Sequence, residues 1–214
     1  MMEAVNPTAI VNIGRLVVRP DARAPITIDD ACVLWHDGAM VYAGPQTDAP
    51  RFIGAGIDAG GRLVTPGLID GHTHLIFGGE RANEFHQRGQ GATYESIAAS
   101  GGGIQSSVRS TRAASEDDLF EAGLRHAQWA LRCGTTALEI KSGYGLSVDD
   151  ELKCLRAARR VGESLGLSVG LTALTLHAVP PEFSGNRAGY VDAALNEILP
   201  AIASAPVGVR WVDA

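Results

Sequence analysis

Two histidines one residue apart, His72 and His74, follow an apolar run in the stretch Leu68-Ile69-Asp70-Gly71-His72-Thr73-His74-Leu75. They are two of only six histidines in the chain. Side chains alternate across a β-strand, so a strand reading puts Asp70, His72 and His74 on one face. Two neutral imidazoles on one face can converge on a single metal ion and fill half of a tetrahedral shell. Such a pair also occurs by chance on a surface. The apolar run before it and the polar segment after it favour the metal reading.

Other residues with chemical capacity fall at similar places. Arg81 lies in the polar segment after the histidine pair, where its guanidinium could clamp a carboxylate bidentately or simply be solvated. The stretch "KSGYG" sets Lys141 and Tyr144 in a glycine-flanked turn, either a plain turn or a place where backbone approaches a ligand closely. His177 is a lone histidine, a type that is usually structural, yet it ends an apolar run just before Pro180-Pro181. Asp70 and Glu139 could orient ligand imidazoles, or merely be hydrogen-bonded within the protein.

These residues need elements to hold them. Residues 8 to 64 read as short strands, with Asp37-Gly38 joining two apolar runs as a hairpin turn. After Pro66-Gly67 the texture becomes strand and helix in alternation. The first strand is "GLIDGHTHL", followed by a Gly-rich, mostly polar stretch to about Thr111. A long helix is expected from Ser115, with Asp118 completing a capping box and Phe120, Leu124, Ala127 and Leu131 on its apolar face. "TTALEIKS" is the second strand, and Ser147 with Asp150 caps the next helix, whose buried face carries Leu152, Leu155, Ala158 and Leu165. "LSVGLTALTLHAV" is the third strand, stopped by the two prolines. A third helix uses Val191, Ile198 and Leu199, and "VGVRWVDA" begins a fourth strand.

Apolar strands alternating with helices imply a parallel sheet covered by helices. No GxGxxG opens a helix after the first strand, which removes the dinucleotide-binding version of an open sheet. His72 and His74, then Lys141 and Tyr144, then His177 fall at or past the carboxyl ends of successive strands. That is where (β/α)8 barrels keep their chemistry. The fold class is therefore α/β, the N-terminal part of a TIM-type barrel preceded by a β-rich segment. Residues 1–65 are expected to be part of a small composite β-sandwich, and 66–214 the first half of the barrel, strands one to four.

Composition narrows the function classes. The chain has 18 Lys and Arg against 24 Asp and Glu in 214 residues, a formal charge of −6, and no basic run, which argues against nucleic-acid binding. Cys32, Cys133 and Cys154 form no CxxC pair and read as buried thiols of a reducing compartment. The start "MMEAVNPTAI" has neither a basic nor an apolar signal region, and no stretch is long and apolar enough to span a bilayer. A cytoplasmic, soluble protein is expected.

Taken together, the histidine pair and its surroundings resemble the amidohydrolase superfamily. Within it, "PGLIDGHTHLIFGGER", "GATYESIAASGGGIQSSVRSTRAAS", "EIKSGYGLSVDDELKCLRAARR" and "HAVPPEF" are similar to the imidazolonepropionase family of histidine degradation, from about residue 60 onward. The resemblance implies that His72 and His74 bind one metal ion, zinc or iron. It implies that Arg81, Tyr144 and His177 contact the substrate or product. The reaction it implies is hydrolysis of the cyclic C–N bond of 4-imidazolone-5-propanoate to N-formimidoyl-L-glutamate, in an enzyme that is a homodimer when full length. No catalytic base can be assigned, because the family draws its base, a third ligand histidine and a ligand aspartate from later strands. A whole (β/α)8 barrel takes about 250 residues, so this chain reads as the N-terminal half of one, inactive alone. The alternatives are another cyclic amidase or aminohydrolase of the superfamily, with Lys141 as a weak candidate for a metal-bridging lysine, or a non-catalytic fragment.

Overall fold

The computed structural model of the chain describes residues 8–19, 24–52 and 56–214. They fall into two compact units, Met1–Gly67 and Leu68–Ala214.

The first unit is a single five-stranded sheet. Strands β1 (Thr8–Arg19), β2 (Ile26–His36), β3 (Ala39–Pro45), β4 (Gly56–Asp58) and β5 (Leu63–Val64) lie in the order β3-β2-β1-β4, with β5 also on β1. Asp37 and Gly38 take φ of 50° and 76° between β2 and β3, the paired positive values that a two-residue hairpin turn requires. Ile13, Leu16, Ala31, Val33 and Ala59 form its small core.

The second unit is built on four parallel strands, β6 (Leu68–Thr73), β7 (Thr135–Lys141), β8 (Ser168–Ala173) and β9 (Trp211–Val212), in chain order across the sheet. Between β6 and β7 run α1 (Ala82–Gly89), α2 (Tyr94–Ala99), α3 (Ile104–Ala113) and α4 (Glu116–Arg132). The segment expected to be a polar loop thus holds three helices. α1 buries no residue and α3 buries Ser107, Val108 and Thr111, so neither writes an apolar period into the sequence. Helix α5 (Val148–Leu165) links β7 to β8 and stops at Gly166 in the left-handed region, φ 62°. From β8 the chain reaches β9 through α6 (Arg187–Ala193), a π-helical turn (Ala194–Ile198) and α7 (Leu199–Ser204).

One face of this sheet packs against α4, α5 and the segment from α6 to α7, burying Leu119, Ala127, Leu138, Ile140, Leu155 and Val161. α4 turns in Leu119, Gly123 and Ala127, so its buried stripe is rotated from the expected one. Phe120 and Leu124 lie at its edge and Leu131 is exposed. α5 buries Cys154, Ala157 and Val161 beside the expected Leu155 and Ala158. The opposite sheet face lines an open cleft of about 470 Å³ with Ile69, Ala137, Gly170 and Trp211. Ile69 is 78% exposed there, so β6 is an open edge rather than the buried strand its sequence suggests. Cys32 and Cys154 are buried, whereas Cys133, expected inside, is exposed at the end of α4. No helix among the described residues is long and apolar enough to cross a membrane.

The α4 start is a full capping box: Ser115 Oγ accepts from Asp118 N at 3.1 Å, and Asp118 Oδ2 accepts from Ser115 N at 3.1 Å. Ser115→Ala is expected to lower unfolding stability by about 1 kcal/mol, read as a shifted urea midpoint with an unchanged slope.

Candidate metal and substrate site

The histidine pair sits where the β6–β7 ladder slips. Asp70 pairs with Leu138 and Thr73 with Ile140, so three steps on β6 match two on β7. Parallel partners point the same way, and Leu138 and Ile140 share a face, so Asp70 and Thr73 share it too. The bulge therefore puts His72 and His74 on the face opposite Asp70, against strict alternation. Asp70 Oδ1 accepts from the His72 backbone amide at 3.2 Å, and Thr73 Oγ1 donates to the Glu139 carbonyl at 2.6 Å, which pins the bulge to β7.

Four rings then gather. His74 lies 5.6 Å from His72, 5.2 Å from Tyr144 and 4.7 Å from His177 between ring centroids, and Tyr144 lies 5.3 Å from His177. His177 arrives by a turn rather than at a strand end. β8 stops at Ala173, and the His177 amide donates to the Leu174 carbonyl at 3.1 Å. The prolines instead open a short 3-10 turn, Pro181–Phe183. Burial, reinforced by the neighbouring His177, His72 and Lys141, pushes His74 down to about 4, so its ring is neutral at physiological pH. Burial first, then His72, holds His177 below its ordinary value. The Nδ1 atoms of His74 and His177 are buried and bond to no protein group.

Arg81 stands at the rim. Its guanidinium pairs with Glu84 at 2.6 Å, and Glu84 Oε1 also accepts from the Gly103 amide at 2.9 Å. Burial raises the Tyr144 phenol above its usual range, and the Arg81 charge partly opposes this, a sign that the two groups lie within electrostatic reach. Tyr144 is thus brought to the histidines, while the contact that Arg81 makes is its pair with Glu84 of α1. Glu84 was legible only as an i,i+3 partner of Arg81.

Lys141 lies near His74 but is engaged by carboxylates. Its ammonium, 5% exposed as a residue, meets Glu139 at 2.7 Å and Asp213 at 3.0 Å, and Glu139 also takes the Thr172 hydroxyl. This network ties β7, β8 and the end of β9 together below the rings. Neither Asp70 nor Glu139 bonds an imidazole, so neither orients a ligand histidine here. Among the described residues no three His, Cys, Asp or Glu side chains are gathered to hold a metal ion. Two imidazoles on one face, one with an orphaned buried nitrogen, fit part of a metal shell and leave the rest to other donors.

The chain is similar to known proteins in sequence and in fold. The description "Amidohydrolase family" matches residues 55–130. Imidazolonepropionase of Brucella suis is 51% identical over 201 residues, covering 92% of this chain and 50% of that protein. The Sphingopyxis alaskensis imidazolonepropionase is 50% identical over 182 residues, 85% of this chain and 45% of that one. In sequence the chain is similar to imidazolonepropionases at about 50% identity over most of its length. It spans about half the length of the imidazolonepropionase relatives it matches. In fold it is similar to a triazine hydrolase from Arthobacter aurescens, TM-score 0.63 at 18% identity, covering 97% of this chain and 45% of that one. An atrazine chlorohydrolase from Arthrobacter aurescens TC1, complexed with zinc, matches at TM-score 0.54 and 18% identity over 96% of this chain and 46% of that one. The four parallel strands with outer helices are the incomplete barrel of this fold.

Hydrogen bonding to Lys141 chiefly holds the Glu139 and Asp213 carboxylates below their ordinary values. Carboxylates depressed by folding contribute stability above their unfolded pKa, near 4, and lose it as pH falls through the depressed values. Lys141→Met is expected to lower the urea midpoint at pH 7, with the gap from wild type closing as pH falls below the ordinary carboxylate range, about 4. Parallel stability curves for the two proteins would contradict this role.

Proposed function

We propose that this chain carries the first half of an imidazolonepropionase active site, hydrolysing the cyclic C–N bond of 4-imidazolone-5-propanoate to N-formimidoyl-L-glutamate. The observation that carries this reading is the convergence of His72, His74, Tyr144 and His177 at one end of the parallel sheet. Its context is the 51% identity to the Brucella suis imidazolonepropionase over most of the chain. His72 and His74 would hold one metal ion, zinc or iron, with the remaining ligands and the general base supplied by sequence outside these residues. When bound, such a cation supplies Lewis acidity that activates water for attack on an amide-like carbon.

This chain's own groups bind and orient. Arg81 receives the propionate carboxylate, which takes the place of Glu84 in a bidentate pair. The Tyr144 hydroxyl donates to the imidazolone ring, and the neutral His177 ring hydrogen-bonds the heterocycle or the nitrogen that departs. Burial of both groups strengthens these contacts by excluding water. The first unit is proposed to be one part of a composite β-sandwich, and the full-length form a homodimer in the cytoplasm.

The test joins this chain to the remaining segment of the Brucella suis relative. The joined protein is expected to carry one tightly held metal ion and to hydrolyse 4-imidazolone-5-propanoate, whereas the chain alone retains less than one equivalent after dialysis. His74→Ala in the joined protein is expected to remove both the metal and turnover. Arg81→Met is expected to raise KM by about tenfold to a hundredfold, since a charge-assisted bidentate contact contributes roughly 1.5–3 kcal/mol. A joined protein that holds metal but leaves this substrate intact, while opening another cyclic amide, would replace the reading with the broader superfamily one.

A further inference from the structure

The turn that presents Tyr144 is wound around a buried carboxylate. Glu151, on the first turn of α5, is 0% exposed. Its Oε1 accepts from three backbone amides of that turn: Gly143 at 3.2 Å, Gly145 at 2.9 Å and Leu146 at 2.7 Å. Its Oε2 is buried with no hydrogen-bond partner. Successive amides turned inward form a concave anion-binding nest, here filled by the protein's own side chain.

The turn requires such a clamp. Gly143 has φ 114°, and Leu146 has φ 57°, a left-handed value that an ordinary side chain adopts only under strain. The shortest of the three bonds goes to Leu146, the strained residue. A Cβ on Gly143 would lie 2.7 Å from the Leu174 carbonyl and 2.9 Å from His177 Cβ, and one on Gly145 would lie 2.5 Å from the Glu151 nitrogen. The backbone at 143 and 145 is therefore pressed against the His177 turn on one side and the start of α5 on the other. Tyr144, between these glycines, has its frame set by Glu151.

We propose that Glu151 is a positioning residue for the Tyr144–His177 pair, acting through the location of its Oε1 acceptor rather than through its charge. This rests on the proposed function only for its kinetic readout. Burial pushes the Glu151 carboxyl upward, against the pull of the Ser142 hydroxyl and of the amide donors. Glutamine, which keeps an acceptor oxygen at the same reach and places its NH2 where Oε2 already lacks a partner, should replace it. Aspartate, which keeps the acid but withdraws the acceptor by one methylene, should not.

The experiment compares Glu151→Gln and Glu151→Asp in the joined protein by amide hydrogen exchange and by steady-state kinetics per folded molecule. Glu151→Gln is expected to retain slow exchange at Gly143, Gly145 and Leu146 and a kcat/KM within about threefold of wild type. Glu151→Asp is expected to speed exchange at those three amides by at least about tenfold, with β8 and α4 unchanged, and to lower kcat/KM by about a hundredfold, the cost of a reacting group misplaced by about 1 Å. A loss in Glu151→Gln equal to or greater than that in Glu151→Asp would overturn the proposal, the greater loss assigning the effect to charge. So would Glu151→Asp with unchanged turnover, or with turnover reduced only in proportion to the folded fraction. If the joined wild-type protein fails to turn over the substrate, the functional reading falls. The exchange comparison then decides the role of Glu151 by itself.

Discussion

The ladder that joins β6 to β7 and β7 to β8 is the constraint on which the site depends. Parallel strands cannot meet through a tight turn, so each pairing spans a long excursion and brings distant residues level with one another. Thr73 reaches the Glu139 carbonyl across that ladder, and Lys141 reaches Asp213 across the two strands beyond. The slip between Asp70 and Thr73 then decides which way the histidines face. A single unpaired residue on β6 thus does what composition alone could not, turning the imidazoles from Asp70 toward Tyr144 and His177.

The polar interior is organised by desolvation more than by attraction. Lys141 is buried between two carboxylates, a state that is stable only because both partners and the Thr172 hydroxyl are in place. Burial chiefly, with His177, His72 and Lys141 nearby, keeps His74 unprotonated, which leaves a neutral donor atom facing the cluster. At the rim, where water screens charge, Arg81 and Glu84 form an ordinary exchangeable pair.

Much of this was legible in the sequence. The Asp37-Gly38 hairpin, the Ser115 capping box, the Ser147 cap and the strand beginning at Leu68 follow from local chemistry and are found as expected. What escaped had a non-local or non-periodic cause. α1 and α3 carry too few apolar residues to mark a helical face, so they read as polar loop. The bulge on β6 is invisible without its partner strand, and so was the face of Asp70. Glu151 reads as one more acid in a helix's first turn, where the dipole welcomes it. Only the fold of the preceding turn shows that its carboxylate is occupied by three amides.

Those three amides lie five to eight residues from the carboxylate that gathers them. Such a short loop closes in tens of nanoseconds and at small entropic cost, as soon as the first turn of α5 is present. The meeting of His74 with His177, by contrast, must wait for two crossovers and the closing of the sheet ladder between them. The ring cluster therefore joins a short-range frame to a long-range meeting: Tyr144 is held within its own βα unit, and the histidines reach it only across the sheet ladder.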